Sequence, residues 1–253
     1  MSFKGRARAV EQGVPVQRHL SKDRIAAFWH EDFVEDQAHH FLELVGEIAR
    51  PAGVVVDVGG GCGFFAKRLR DLTGRRVRVL DSDAASIREC EQLGIDAEQA
   101  DALAPTVAGD EDVVTFNLIL HHLVGSSERE TRELQSKALA LWRRQALAVF
   151  VNEYVYESYF GNWSGRLIYW ITRSPLLSRA GKIVSRFVPS LRANTFGIGV
   201  RFRAHAEWER LFAASGYRVA SSLLGDEEPV SFQRRLLLIR SCRRDSFLLL
   251  PLK

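Results

Sequence analysis

The chain has 253 residues, which suits one sizeable α/β domain and is short for two independent cores. Apolar residues make up 46% and charged residues 26%, so the composition allows a packed core, and a formal net charge of +4 does not by itself indicate a nucleic-acid partner. Cys62, Cys90 and Cys242 lack any paired spacing, which argues against a disulfide framework or a zinc ribbon and favours the reducing cytoplasm. We recognise no export signal and no apolar run long enough to span a membrane.

The predicted elements alternate in type along the chain. Apolar residues at helical spacing predict a helix from about residue 21 to Arg50, and Pro51 ends it. Strands are then predicted at 54–58, 75–81, within 95–101, at 112–120 and at 146–154, with helices at 64–72, 84–93 and 127–144 between them. After an irregular stretch, a helix from 204 to Gly216 precedes strands at 217–224 and 233–241, which pair as a closing hairpin.

This order predicts an α/β fold. Alternating strands and helices imply crossover connections, and therefore a doubly wound, mostly parallel seven-stranded sheet with an antiparallel closing hairpin. Ligands bind such sheets at the carboxyl ends of the strands. We expect a single domain, 1–253, made of a helical cap (1–50), a ligand-binding core (51–153), a basic aromatic lid (154–204) and the closing helix and hairpin (205–253).

A glycine-rich loop follows the first strand in the stretch VVVDVGGGCGFFA, residues 54–66. The third glycine of the nicotinamide fingerprint is replaced by Phe64, and the loop lacks the Lys-Ser/Thr ending of a phosphate-binding loop. A plain strand-to-helix turn is the alternative, but four glycines cost conformational entropy that a turn alone does not require.

The loop reads Asp57-Val58-Gly59-Gly60-Gly61-Cys62-Gly63, an acidic residue followed by glycine at every second position. This pattern resembles motif I of the class I S-adenosylmethionine-dependent methyltransferases. The resemblance implies S-adenosylmethionine as cofactor, with its amino acid end against the bare backbone of Gly59, Gly61 and Gly63 and with Asp57 orienting its ammonium group.

The end of the second strand continues the resemblance, which extends over roughly residues 28–241. Asp81 lies where this family places the carboxylate that accepts hydrogen bonds from both ribose hydroxyls, with Ser82 beside it. A neutral side chain could not accept both bonds as well. Asp83 is the rival for this role, and a solvated loop acid is the alternative for Asp81.

The next two strand ends supply the remaining candidate cofactor contacts. By resemblance, Asp101 would accept from the adenine amino group and Ala102 would offer its backbone amide. Asn117 would end the fourth strand, and His121 and His122 would begin the following turn. One of these histidines is expected to line the cofactor pocket, although adjacent histidines are often structural.

The N-terminal helices are expected to cap the site, as they do in many members of the family. Phe28 or Trp29 is the candidate for packing near the sulfonium, where a cation beside an aromatic face gains roughly 0.5–2 kcal/mol; both can equally be core residues. Glu35 and His39 lie one helical turn apart, but a solvated polar face explains them better than a metal site, and no metal is expected.

Methyl transfer needs alignment of the reactants and, for some acceptors, a base. Glu153, predicted at the end of the fifth strand, and His121 are the candidate catalytic residues, and His205 is interpreted as a cap or lid residue. The fourth strand lacks the Asn/Asp-Pro-Pro-aromatic sequence common in enzymes that methylate amino groups of nucleic-acid bases, so DNA is not an expected partner.

The segment from 158 to 206 contains no acidic residue. It carries Arg166, Arg173, Arg179, Lys182, Arg186, Arg192, Arg201 and Arg203, interleaved with Tyr159, Phe160, Trp163, Tyr169, Trp170, Phe187, Phe196 and Phe202. A cationic aromatic lid suits a flat or apolar acceptor with an anionic group. An anionic membrane surface and RNA are competing partners. A further alternative is that the arginines only border a surface helix and bind no partner.

These features favour a cytoplasmic methyltransferase acting at an oxygen or nitrogen of a small, anionic or aromatic acceptor. The Arg-rich, Lys-poor composition fits bacterial specialised metabolism. Two alternatives stay open, namely a methyltransferase that grips a lipid, RNA or protein with the basic lid, and a non-catalytic binding module that keeps the cofactor fold.

Overall fold

The computed structural model describes residues 33–46, 48, 50, 53–174 and 199–252. Within these residues the seven strands form one sheet in the order β3-β2-β1-β4-β5-β7-β6. The strands are β1 (Val54–Val58), β2 (Val77–Asp81), β3 (Asp96–Gln99), β4 (Glu111–Asn117), β5 (Ala148–Ser158), β6 (Tyr217–Leu223) and β7 (Ile239–Pro251). Strands β1 to β5 are parallel, and β7 runs antiparallel between β5 and β6. The predicted doubly wound sheet is confirmed.

Helices cover both faces of the sheet. They are α1 (Val34–Val45), α2 (Phe64–Thr73), α3 (Ala84–Gln92), α4 (Glu128–Ala140), α5 (Trp163–Arg173), α6 (His205–Ala214) and α7 (Phe232–Leu236). On one face Phe41 of α1 and Phe65 of α2 pack against Val55, and on the other Leu139 and Trp208 pack with Val56. All five residues of β1 are buried, which explains why a central parallel strand reads as a continuous apolar run.

The site-bearing edge lies where the parallel strands end. The predicted elements around it are confirmed: β1 leads into the glycine loop, β2 ends at Asp81, and β4 ends at Asn117 before a 3₁₀ turn, Leu120–His122. Asn117 pairs in register with Asn152 of β5. The carboxyl ends of β1, β2 and β4 are therefore brought together at one edge.

Strand β5 runs past residue 154, where the sequence predicted that it ends close to Glu153. It continues to Ser158, and residues 153–158 pair antiparallel with residues 239–245 of β7. These two segments extend beyond the last residue of β4 as a two-stranded ribbon, called here the ribbon. Glu153 consequently lies inside a strand and at the base of the ribbon.

The second strand of the closing hairpin was also placed wrongly. The first four residues of the predicted strand 233–241 lie in a short helix, α7, which Ser231 caps by accepting a hydrogen bond from the backbone amide of Arg234 (3.4 Å). The real strand begins at Ile239 and runs to Pro251. Its position is set by simultaneous pairing with β5 and β6, which no local pattern reports.

Candidate active site

The glycine loop has one side closed by protein and one side open. Gly59, Gly61 and Gly63 have φ angles of 70°, 54° and 78°, in the left-handed region that favours glycine. A Cβ atom on Gly59 would lie 1.9 Å from Ile119 Cδ1, and one on Gly63 would lie 2.8 Å from Cys90 Sγ. A Cβ atom on Gly61 would meet no described atom within 4 Å. Gly61 therefore offers bare backbone to a ligand.

Asp57 is fully buried beneath this loop. Its Oδ1 accepts hydrogen bonds from Thr115 Oγ1 (2.7 Å) and Asn117 Nδ2 (3.1 Å). Its Oδ2 has no hydrogen-bond partner among the described residues, and it lies so close to the loop that a Cβ on Gly60 would be 2.4 Å away. Burial raises the pKa of Asp57 to about 6. An unpaired buried acceptor costs free energy, which a cationic or donor group in the loop would recover.

Asp81 lies beside the open side of the loop. Its Oδ2 accepts from the backbone amide of Gly61 (3.0 Å) and its Oδ1 from that of Asp83 (2.8 Å). These two bonds fix the orientation of the carboxylate. Asp83 is used differently, because it caps α3 by accepting from the amide of Ser86 (2.8 Å). This favours Asp81 over its rival.

The other predicted cofactor contacts remain predictions. The carbonyl of Ser82 accepts from Gln99 Nε2 (3.0 Å). Asp101 is exposed and its Oδ1 accepts from the amide of Leu103 (2.8 Å), while Ala102 is buried in the core. Trp29, like Phe28, lies outside the described residues.

His121 and Glu153 form a buried pair. His121 Nδ1 is 2.7 Å from Glu153 Oε2, while Glu153 Oε1 accepts from the backbone amides of Leu120 (2.6 Å) and His121 (3.3 Å). Both carboxylate oxygens therefore hold the 3₁₀ turn. With Nδ1 against Glu153, the imidazole presents Nε2 on its opposite side. This geometry makes His121 the better candidate base and Glu153 its positioning residue.

Aromatic groups complete the surroundings of His121. Its ring stacks on Phe202 at a centroid distance of 4.9 Å and meets the edge of Tyr154 at 5.9 Å. His122 lies 4.1 Å away, ring to ring. Burial lowers the pKa of His122 well below its ordinary value, and the nearby His121 lowers it further. His122 is therefore neutral at neutral pH.

Solved structures resemble the chain over most of its length. The magnesium protoporphyrin IX methyltransferase ChlM from Synechocystis PCC 6803, solved with bound SAH, is 14% identical with a TM-score of 0.53, and the match covers 94% of this chain and 90% of that one. The geranyl diphosphate C-methyltransferase from Streptomyces coelicolor A3(2), solved with Mg2+, geranyl diphosphate and S-adenosyl-L-homocysteine, is 12% identical with a TM-score of 0.52 and coverages of 92% and 88%.

The chain has the class I methyltransferase fold. A pericyclic reaction enzyme is similar too, at 14% identity and a TM-score of 0.53, over 84% of this chain and 47% of that chain. At such low identities the similarity establishes the fold only, and the reaction has to be inferred from the residues of the site. No protein-family model and no curated protein matches the sequence.

Two of the arginines assigned to a cationic lid on this methyltransferase fold are buried instead. Arg201 Nε lies 2.8 Å from Glu128 Oε2 and its Nη2 lies 3.0 Å from Glu207 Oε1. Arg203 Nη1 lies 3.2 Å from Glu128 Oε1, and its guanidinium also donates to Gln135 Oε1. Burial lowers the pKa of Arg203 to about 10, so it stays charged. These side chains anchor the returning segment to α4 and are not available to an acceptor.

The aromatic residues of the predicted lid divide into two groups. Tyr169 is buried and donates to the carbonyl of Gly125 (3.0 Å), and Phe202 stacks against His121 and Tyr156. Tyr159, Phe160, Trp163 and Trp170 are exposed. Six further residues of the predicted lid lie outside the described residues, namely Arg179, Lys182, Arg186, Arg192, Phe187 and Phe196.

His205 is neither the helix cap nor a lid residue. Ala204 is the N-cap of α6, and His205 Nδ1 lies 2.6 Å from Asp245 Oδ2.

Sequence reasoning missed a small polar pocket beside this edge of the methyltransferase fold. Its volume is about 110 Å³, and its lining includes Gln37, His40, Asn152 and Arg244. Gln37 Nε2 donates to Asn152 Oδ1 (3.2 Å), and Asn152 Nδ2 donates to Ser246 Oγ (2.8 Å). Arg244 Nη1 is buried with no hydrogen-bond partner among the described residues. The sequence holds no signal for this pocket, because it forms between α1, β5 and β7.

The described residues form neither a metal-binding cluster nor a membrane-spanning helix. No group of three or more His, Cys, Asp or Glu side chains there could hold a metal ion. No helix in the same part of the chain is long and apolar enough to cross a membrane.

Proposed function

We propose that this chain is an S-adenosylmethionine-dependent methyltransferase. The observation that carries the proposal is the open backbone of Gly61, which lies in the same loop as Gly60 above the unpartnered Oδ2 of Asp57 and donates to the carboxylate of Asp81. These groups fit a ligand with an ammonium end and a sugar diol. The fold of the two solved methyltransferases adds support.

Each residue has a distinct task in this proposal. Asp57 would orient the ammonium group of the cofactor, Asp81 would accept from the ribose hydroxyls, and Gly61 would let the amino acid end lie against the backbone. Ser82, Asp101, Ala102, Asn117, His122 and Trp29 remain candidate contacts. When bound, S-adenosylmethionine supplies an electrophilic methyl group.

The acceptor is proposed to be a small molecule methylated at oxygen or nitrogen. His121 Nε2 would take the acceptor proton, while Glu153 holds the ring so that this nitrogen faces away from the carboxylate. Arg244 borders the polar pocket, but its Nη2 lies 3.8 Å from Asp36 and its Nε 3.9 Å from Glu228, so the anionic group proposed for the acceptor rests on the sequence and not on this arginine. A role in bacterial specialised metabolism stays part of the proposal.

Calorimetry with S-adenosylhomocysteine tests the cofactor assignment. Folded protein that fails to bind it at millimolar concentration would end the proposal. Incubation with labelled S-adenosylmethionine and bacterial extract, followed by identification of the labelled product, tests the reaction. Binding without turnover on any extract would favour a non-catalytic module.

A further inference from the structure

Large exposed apolar side chains are concentrated at the far end of the ribbon. They are Tyr159, Phe160, Trp163, Trp170, Phe232 and Leu236. Helix α5 begins five residues after the ribbon strand β5, and α7 ends three residues before the ribbon strand β7. The two segments are tied together, since the amide of Tyr159 donates to the carbonyl of Leu238 (3.2 Å) and Leu237 packs in one cluster with Ile168. We call this set the aromatic end.

Helix α5 presents its two tryptophans outward. Its buried residues, Ser164, Gly165, Ile168, Tyr169 and Thr172, recur at helical spacing and face the protein. Trp163 and Trp170 lie two turns apart on the outer side, 47% and 53% exposed, with ring centroids 6.3 Å apart. A contiguous exposed apolar surface of this kind marks an interaction site on a soluble domain.

The charge around the aromatic end is positive. Arg173 at the end of α5, Arg235 on α7 and Arg240 on the ribbon are exposed. The sequence from 158 to 206 contains no acidic residue. Among nearby acidic residues, Glu228 is paired with Arg234 at 3.4 Å and Glu130 interacts with Arg173, while Asp226 and Glu227 are exposed and precede α7. The surface therefore complements a negatively charged partner.

Apolar and cationic groups together favour a lipid surface over the other partners. Tryptophan and arginine both suit the boundary between headgroups and acyl chains. A nucleic acid would use the aromatic faces and the arginines but offers no partner for Leu236 and Phe232 beyond stacking. A second copy of the chain would bring an equally basic surface against this one.

We propose that the aromatic end docks on bilayers that contain anionic phospholipid. The ribbon extends past the carboxyl edge of the sheet by six residues, 153–158, or about 20 Å at the usual strand rise. Docking therefore turns the edge that carries Gly61 and Asp81 toward the lipid. This inference does not depend on the proposed methyl transfer.

Sedimentation with vesicles tests the proposal. The wild-type protein should bind vesicles of phosphatidylcholine and phosphatidylglycerol in equal parts, should not bind phosphatidylcholine alone, and should release as salt rises. Trp163→Ser with Trp170→Ser should lower the partition coefficient about tenfold or more. Arg173→Gln and Arg235→Gln should each lower it about fivefold.

A matched control removes exposed apolar groups elsewhere. Leu72→Ser with Leu147→Ser, at positions 40% and 44% exposed and outside the aromatic end, should leave the partition coefficient unchanged. Circular dichroism and binding of S-adenosylhomocysteine should be the same for the tryptophan variant and the wild type. If neither the wild type nor any variant binds S-adenosylhomocysteine while the wild type still binds vesicles, the proposed function is contradicted. The docking inference is not affected by that result.

Four results would overturn the docking inference. The wild type could fail to bind anionic vesicles at low salt, or the tryptophan variant could bind them equally well. Gel filtration could show a dimer that the tryptophan substitutions convert to a monomer, which would make the surface a contact between copies. The protein could bind RNA and fail to bind any of the vesicles.

Discussion

Replacement of Asp57 by Asn tests the electrostatics of the candidate cofactor site. The substitution keeps an oxygen for the bonds from Thr115 and Asn117 and removes the buried charge. Burial raises the pKa of Asp57 from an ordinary 3.8 to about 6. The folded protein therefore binds more protons than the unfolded chain between these values, so the contribution of Asp57 to stability falls as pH rises through this window. At pH 7 the ionised group costs about 3 kcal/mol, at 1.36 kcal/mol per pKa unit.

The expected result is that Asp57→Asn is more stable than the wild type at pH 7 and that the difference shrinks toward pH 5. Proton linkage predicts that the difference in the free energy of unfolding between the two proteins is a little over 1 kcal/mol smaller at pH 5 than at pH 7, because ionised Asp57 costs about 1.5 kcal/mol at pH 5. Urea unfolding of both proteins at the two pH values measures it. A variant that is less stable at both values, by the same amount, would refute the reasoning. The same variant should bind S-adenosylhomocysteine more weakly, since the partner of the ammonium is lost.

Three further substitutions test other parts of the site. Asp81→Asn should weaken binding of S-adenosylhomocysteine by about 1.5–3 kcal/mol in calorimetry, because bonds to a charged acceptor are lost; Asp83→Asn, which keeps a helix cap, should not, and equal affinities for both variants would mean that the sugar lies elsewhere. Glu153→Gln should lower kcat on the identified acceptor roughly a hundredfold, because the amide would stabilise the wrong tautomer of His121; an unchanged kcat would remove His121 as the base. Arg203→Met should lower the free energy of unfolding in urea by about 1–3 kcal/mol, because the buried Gln135 Oε1 would lose both of its donors while Arg201 still pairs with the carboxylates, and an unchanged free energy of unfolding would show that these buried bonds contribute little.

The predictions that succeeded depend on local physical signals. A central parallel strand buried on both faces has to be apolar along its length, and β1 is. The positive φ angles of Gly59, Gly61 and Gly63 require residues without a Cβ, so the loop is visible in the sequence. The position of Asp81, the last residue of the second strand, was predictable for the same reason, and its contact with the ribose stays a prediction.

The predictions that failed concern long-range pairing. An apolar run at 236–239 reads as a strand, but it belongs partly to α7 and partly to β7, because β7 takes the register that satisfies β5 and β6 together. The sequence predicted that Arg201 and Arg203 are cations of the lid. Both instead form ion pairs with Glu128, which is more than 70 positions earlier in the chain.

The sequence alone therefore determined the order of strands and helices, the glycine loop and the acidic residues at two strand ends, since each follows from the conformational limits and burial of neighbouring residues. Tertiary structure decided which side of the loop is open, which oxygen of Asp57 is left unpaired, and that Glu153 holds His121. It also decided which cations are buried and where the exposed tryptophans lie. These properties depend on atoms that are distant in sequence and meet only when the sheet closes.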